Sequence, residues 1–159
     1  MNEPPVDSVG KGLAATLVVR RRINATREKL FAAWTQPELL VQWWGPQGIA
    51  CPAAEIDLRV GGSYRIANQF PNGTVVWIAG VFEVIEPPDR LTYTWKLESQ
   101  NGPRERVTVC FEASGTSTEV VVVHERIPDD SARTSHEHGW IGCLDSLVRY
   151  AEQSETERP

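Results

Sequence analysis

Apolar positions along this chain change period twice, and those changes outline its elements. From Thr16 to Ile23 apolar and polar residues alternate and β-branched side chains are frequent, which predicts a first strand. The spacing then turns helical. Thr26 stands as an N-cap, Glu28 sits in the positively polarised first turn, and Leu30, Phe31 and Trp34 share one face of a helix ending near Thr35. Thr35-Gln36-Pro37-Glu38 has capping-box spacing with proline in the first turn, so a second short helix is expected to point Leu40, Trp43 and Trp44 inward before Gly45-Pro46 stops it. From about Ala53 period two returns and predicts strands over 55–59, 63–70, 74–85, 91–97, 105–113 and 118–126. Between them, clusters such as Gly61-Gly62, Pro71-Asn72-Gly73, Asn101-Gly102-Pro103 and Ser114-Gly115-Thr116 suit antiparallel hairpins. Beyond Pro128, Thr134 and Glu137 form a further capping box. Trp140, Leu144, Leu147, Val148 and Ala151 then recur at helical spacing, which predicts a terminal helix of roughly 18 residues.

The order strand, two helices, six strands, helix is that of an α+β protein with a seven-stranded antiparallel sheet. One long helix is available to cover the apolar face of that sheet, so the sheet is expected to curl around it in a helix grip. Trp34, Trp43 and Trp44 crowd the two short helices, which are the natural plug for one end. An indole buries roughly 150–250 Å², more than helices this short need in order to sit on a sheet, so an indole-walled internal cavity is the expected by-product. Residues 1–12, rich in proline and glycine, read as a flexible leader; 13–153 form a single domain, and 154–159 a polar tail.

Composition narrows the classes. The 159 residues are 41% hydrophobic and 23% charged, near the globular average. Sixteen basic against twenty-one acidic side chains give a net charge of −5. Arg20-Arg21-Arg22 stands out only as a solvated strand edge, so no nucleic-acid partner is expected. No run approaches a membrane span and no export signal opens the chain, so no membrane partner is expected. Cys51, Cys110 and Cys143 are an odd set without paired spacing, which fits a reducing cytoplasm and predicts neither a disulfide framework nor a structural zinc site. No motif for a metal or another cofactor is present, and no nucleophile–base spacing or phosphate-cradling loop marks a catalytic centre.

Five segments together resemble the activator of Hsp90 ATPase homologue family, of the type of that activator's C-terminal domain, within the START-like or birch-pollen-allergen-like superfamily. They are Phe31-x-x-Trp34-Thr-x-Pro37, Leu40-x-x-Trp43-Trp44-Gly-Pro46, Glu55-Ile-Asp57-Leu-Arg-x-Gly61-Gly62-x-Tyr64, Gly80-x-Phe-Glu83-Val-x-x-Pro87-x-x-Arg90-Leu and Gly139-Trp140-x-x-x-Leu144. The resemblance spans nearly the whole chain. It implies a helix-grip fold with a hydrophobic cavity, in a superfamily whose members bind lipids, polyketides or hormones and in some cases catalyse on them. It also brings in a stress-linked, Hsp90-type chaperone as a partner. Co-chaperones of that kind make much of their contact through a separate N-terminal domain, and about a dozen residues precede the first strand here.

Strand parity groups Tyr64 with Ile66 and Phe70, Tyr93 with Trp95, and Val122 with His124, and helical spacing presents Trp140 and Leu144 opposite them. With Trp44 these give the expected ligand-binding set: Trp44, Tyr64, Ile66, Tyr93, Trp95, Val122, His124, Trp140 and Leu144. Arg65 and Glu83 are expected to face outward, while the face of Trp77 is open. His136 and His138, two apart on a helix, diverge by about 200° and are expected to be solvated or capping groups. Three functions follow: a non-enzymatic binder of a small hydrophobic or amphipathic molecule, a polyketide cyclase-like enzyme in which His124 or Tyr64 polarises a carbonyl, or a stress-linked chaperone-interaction module.

Overall fold

The computed structural model describes residues 15–156, with side chains as far as Gln153. The leader expected over 1–12 lies outside the described residues, as do 157–159. Strand β1 (Ala15–Ile23) leads into helices α1 (Arg27–Thr35) and α2 (Pro37–Leu40), then β2 (Ala54–Ile56), β3 (Ser63–Gln69), β4 (Val75–Glu86), β5 (Arg90–Leu97), β6 (Glu105–Ser114), β7 (Ser117–Ile127) and the long helix α3 (Asp130–Thr156). The strands form one antiparallel sheet in the order β1-β7-β6-β5-β4-β3-β2, so all neighbours follow in sequence except β1, which returns to pair with β7. The architecture is the expected helix grip.

Local chemistry explains the boundaries. Thr26 caps α1 by accepting from the Lys29 amide at 3.1 Å. At α2 the capping differs from expectation: the Thr35 hydroxyl donates back to Phe31 O at 2.8 Å, Gln36 is the N-cap without a side-chain bond, and Pro37 supplies the first turn. Trp43 and Trp44 therefore sit in the turn after a four-residue helix rather than on it. Strand β2 ends at Ile56 because Asp57–Gly62 folds into a turn, with the Gly62 amide donating to Arg59 O at 2.8 Å and Gly61 at a φ of +86°. Helix α3 has 27 residues instead of about 18. It begins earlier because Asp129, and not Thr134, accepts from the Ala132 amide at 2.8 Å, and it continues past residue 153 to Thr156.

Inward-facing residues of β5, β6 and β7, the indoles of the α1–α2 region and one face of α3 form a single apolar cluster. Arg65 and Glu83 lie on the outer face as expected: Arg65 pairs with Glu98 at 2.7 Å and stands 4.0 Å over the Trp77 ring, and Arg106 donates to Glu83 at 2.9 Å. That settles Trp77 on the same outer face.

Candidate functional site

Four indoles occupy the end of the grip where a cavity wall was expected. The Trp34 ring lies 5.0 Å from Trp43, 6.4 Å from Trp44 and 5.9 Å from Phe111, and it stacks on Trp140 at 6.1 Å. Each spends its N–H internally: Trp34 on Tyr93 Oη, Trp43 on Ala33 O, Trp44 on Asn68 Oδ1 and Trp140 on His124 Nδ1. Aromatic rings at these separations attract one another as well as burying area. The consequence departs from the expectation. The indoles fill much of this end of the grip, and by Trp34, among Leu40, Tyr64, Ile66, Phe82 and Tyr93, only about 10 Å³ remains.

Space survives elsewhere. An open cleft of about 130 Å³ lies between α3 and the sheet, lined by Trp44, Asn68, Ile78, Trp95, His136 and Trp140 among others. A larger open groove of about 710 Å³ runs between residues 41–51 and the end of α3, but it gathers no titratable cluster of its own beyond Arg149, Cys51 and Tyr150.

At the cleft three groups from three elements meet: His136 of α3, which lines it, and behind His136 Glu105 at the start of β6 and His124 near the end of β7. His124 Nε2 lies 2.7 Å and His136 Nε2 3.0 Å from the same carboxylate oxygen of Glu105. The two imidazoles stack at 4.6 Å, and the Trp95 ring meets both edge-on. A bulge helps to place His124. Opposite β7, Leu17 pairs with His124 while Ala15 pairs with Ile127, and the extra residue is Arg126, at a φ of +66°. Both His124 and Ile127 thereby turn inward and are fully buried.

Burial works to raise the Glu105 carboxyl, but the hydrogen bonds from both histidines outweigh it and hold it below the ordinary value. Burial likewise pushes His124 down, against the pull of Glu105. Its tautomer follows from Trp140. An indole N–H only donates, so Nδ1 of His124 carries the lone pair and Nε2 the proton given to Glu105.

The ligand atoms of Glu105, His124 and His136 lie within 4.8 Å of one another, close enough for a divalent metal. The surrounding shell does not fit one. A metal on His124 Nε2 needs the ring proton on Nδ1, where it would meet the Trp140 N–H head-on.

The nine residues expected to bind ligand are dispersed. Trp44, Trp95 and Trp140 line the cleft; Tyr64, Ile66 and Tyr93 border the small void; Val122, His124 and Leu144 lie fully buried and line neither space. Tyr64 donates its hydroxyl to Thr94 O at 2.7 Å, and burial holds its pKa well above the ordinary value. His138 is exposed as expected, whereas His136 is not a solvated or capping group but lies half-buried on Glu105. Glu105, His136 and Asn68 were missed. A signal existed for two of them: Glu105 shares strand parity with the buried Val107, Val109 and Phe111, and His136 precedes Trp140 and Leu144 at intervals of four.

Comparison with known proteins agrees with the architecture. The family model described as activator of Hsp90 ATPase homolog 1-like protein matches residues 24–152. The chain belongs to this family. Among solved structures, a protein from Chromobacterium violaceum is similar to this chain at 26% identity, covering 86% of this chain and 96% of its own, with a TM-score of 0.79. A family protein from Silicibacter pomeroyi is similar at 27% identity over 91% of this chain and 100% of its own, with a TM-score of 0.77. A search of curated protein sequences finds no match. In this member of the family, no helix among the described residues is long and apolar enough to cross a membrane.

Proposed function

We propose that this protein binds a small amphipathic molecule of one ring or a small fused pair in the cleft between α3 and the sheet. The observation that carries the reading is the cleft's composition: the indoles of Trp44, Trp95 and Trp140 line about 130 Å³ open to solvent, with His136 and Asn68 in the same lining. Stacking faces with a few convergent polar groups are what small-molecule sites are made of. Size sets the class. An apolar cavity of about 150 Å³ accepts benzene, whereas drug-sized ligands use roughly 300–1,000 Å³, so in this open cleft one ring or a small fused pair fits and a sterol or a long acyl chain does not.

Tryptophan fluorescence tests this directly. Phenol- and indole-sized ligands are expected to quench saturably with one site per chain, and Trp95→Leu to weaken binding by at least tenfold. Quenching that never saturates, or that is indifferent to Trp95→Leu, would remove the cleft from consideration. Native mass spectrometry of the purified protein is expected to show a co-purifying small molecule and would identify it.

A further inference from the structure

We infer that the cleft also holds a general base, the Nδ1 atom of His136, oriented by the Glu105 carboxylate; the inference rests on the cleft being the ligand site. It follows from counting protons outward from the core. Trp140 fixes His124 as the Nε2–H tautomer, so His124 donates to Glu105 Oε1 and both of its nitrogens are committed. Tyr64 is committed too, its hydroxyl being given to Thr94 O. The two groups that sequence alone nominated for polarising a carbonyl are therefore engaged with the protein.

His136 differs. Its Nε2 faces an ionised carboxylate at 3.0 Å and must carry a proton, which in the neutral ring leaves the lone pair on Nδ1. Among the described residues Nδ1 has no hydrogen-bond partner, and His136 lines the cleft. The Trp95 N–H likewise has no acceptor among the described residues, although Trp95 is 8% exposed and lines the same cleft. A carboxylate on one imidazole nitrogen and a free lone pair on the other is the arrangement that makes histidine an efficient base, because the carboxylate holds the ring and stabilises the imidazolium that forms.

The substrate class is a small ring compound with a C–H or O–H made acidic by a neighbouring electron-withdrawing group. The proton passes to Nδ1, the bonding pair stays on the substrate, and Glu105 balances the imidazolium. Water or the conjugate acid returns a proton later, so no redox partner is needed. The metal alternative, disfavoured by the Trp140 hydrogen bond, is an outcome of the test.

Nitrobenzisoxazole is a suitable probe, being a small flat aromatic. When a base removes its acidic C–H, the C–H electrons form a nitrile and the N–O bond breaks. The N–O pair leaves on a coloured phenolate oxygen. With the full chain in EDTA, turnover is expected to saturate and to exceed that of free imidazole at equal concentration by about 100-fold, the lower end of general-base catalysis. His136→Ala should abolish the excess and Glu105→Gln should lower kcat about tenfold with KM unchanged, while His138→Ala has no effect.

A rate no faster than imidazole, or one that survives His136→Ala, overturns the assignment. So does activity that EDTA removes, which would give the cluster to a cation. Saturable quenching without elimination sinks the base and leaves the pocket standing; absence of quenching sinks both. Independently of any variant, ring ¹⁵N shifts in alkaline buffer should show the Nε2–H tautomer at His124 and His136, and a proton on His136 Nδ1 would overturn the inference.

Discussion

Trp34→Ala measures whether the indoles fill the grip or merely line it. Trp34 is 3% exposed, touches Trp43, Trp44, Phe111 and Trp140, and gives its N–H to Tyr93 at 3.3 Å. An indole burying roughly 150–250 Å² at about 25 cal/mol per Å² is worth about 4–6 kcal/mol. Allowing for apolar area already hidden in the unfolded chain reduces this to about 3–5 kcal/mol, the range observed for tryptophan truncations in cores. A domain of this size is stable by about 5–15 kcal/mol, so the variant should fold with little to spare. In urea, with a slope of about 2 kcal/mol per molar, the midpoint should fall by about 2 M. The 10 Å³ remnant should also open into a space that takes a ring, so added indole should restore part of the loss in proportion to its occupancy. A fall under about 1 kcal/mol, with no recovery on adding indole, would mean that Trp34 borders a space already empty, and the packed-grip account would be wrong.

Gly142→Ala should destabilise by about 1–3 kcal/mol in the same assay, as overpacking does, because a Cβ there would sit 3.0 Å from Pro46 Cα and push the Gly45-Pro46 turn off α3. Thermal melts across pH should show stability declining on acidification. His124, which Glu105 and His136 face, titrates in the folded state below its ordinary 6.5, so stability present above 6.5 is lost as pH falls through that lower value. Glu105 adds a second loss below 4.5. Trp140→Phe frees His124 Nδ1 to take a proton, so the upper limb of that decline should flatten; an unchanged profile would refute the tautomer lock. Native alkylation at neutral pH should be slow at Cys51, pushed up by burial to about 11, and slower still at Cys143, pushed to about 12, with both reacting fast only in denaturant.

The architecture was legible because period and turn chemistry are local. Alternation located each strand to within a few residues, and the Thr26 cap was read correctly. Caps failed where two candidates competed: the Thr35 hydroxyl turned back to Phe31, and Asp129 pre-empted Thr134. The site was less legible, since its groups depend on register. Glu105 meets His124 only because Val107 pairs with His124 across β6 and β7, and His136 joins them only once α3 docks. Whether several indoles enclose a space or occupy it is a question of volume, to which sequence periodicity is blind. That is why the tryptophans were correctly placed inside, while the size of the space they leave, about 130 Å³ in an open cleft and about 10 Å³ by Trp34, was not legible.

The return of β1 to pair with β7 has a kinetic consequence. Ile23 lies opposite Thr118, although 95 residues (118 less 23) separate them. Hairpins from β3 onward can zip as they leave the ribosome, but the first strand must wait with an unsatisfied edge until the last one has been made. Closing so long a loop carries a high entropic cost and slows folding. The nascent chain therefore exposes an apolar ribbon until β7 has been made, and Arg20, Arg21 and Arg22 on that ribbon disfavour pairing with a stranger in the interval.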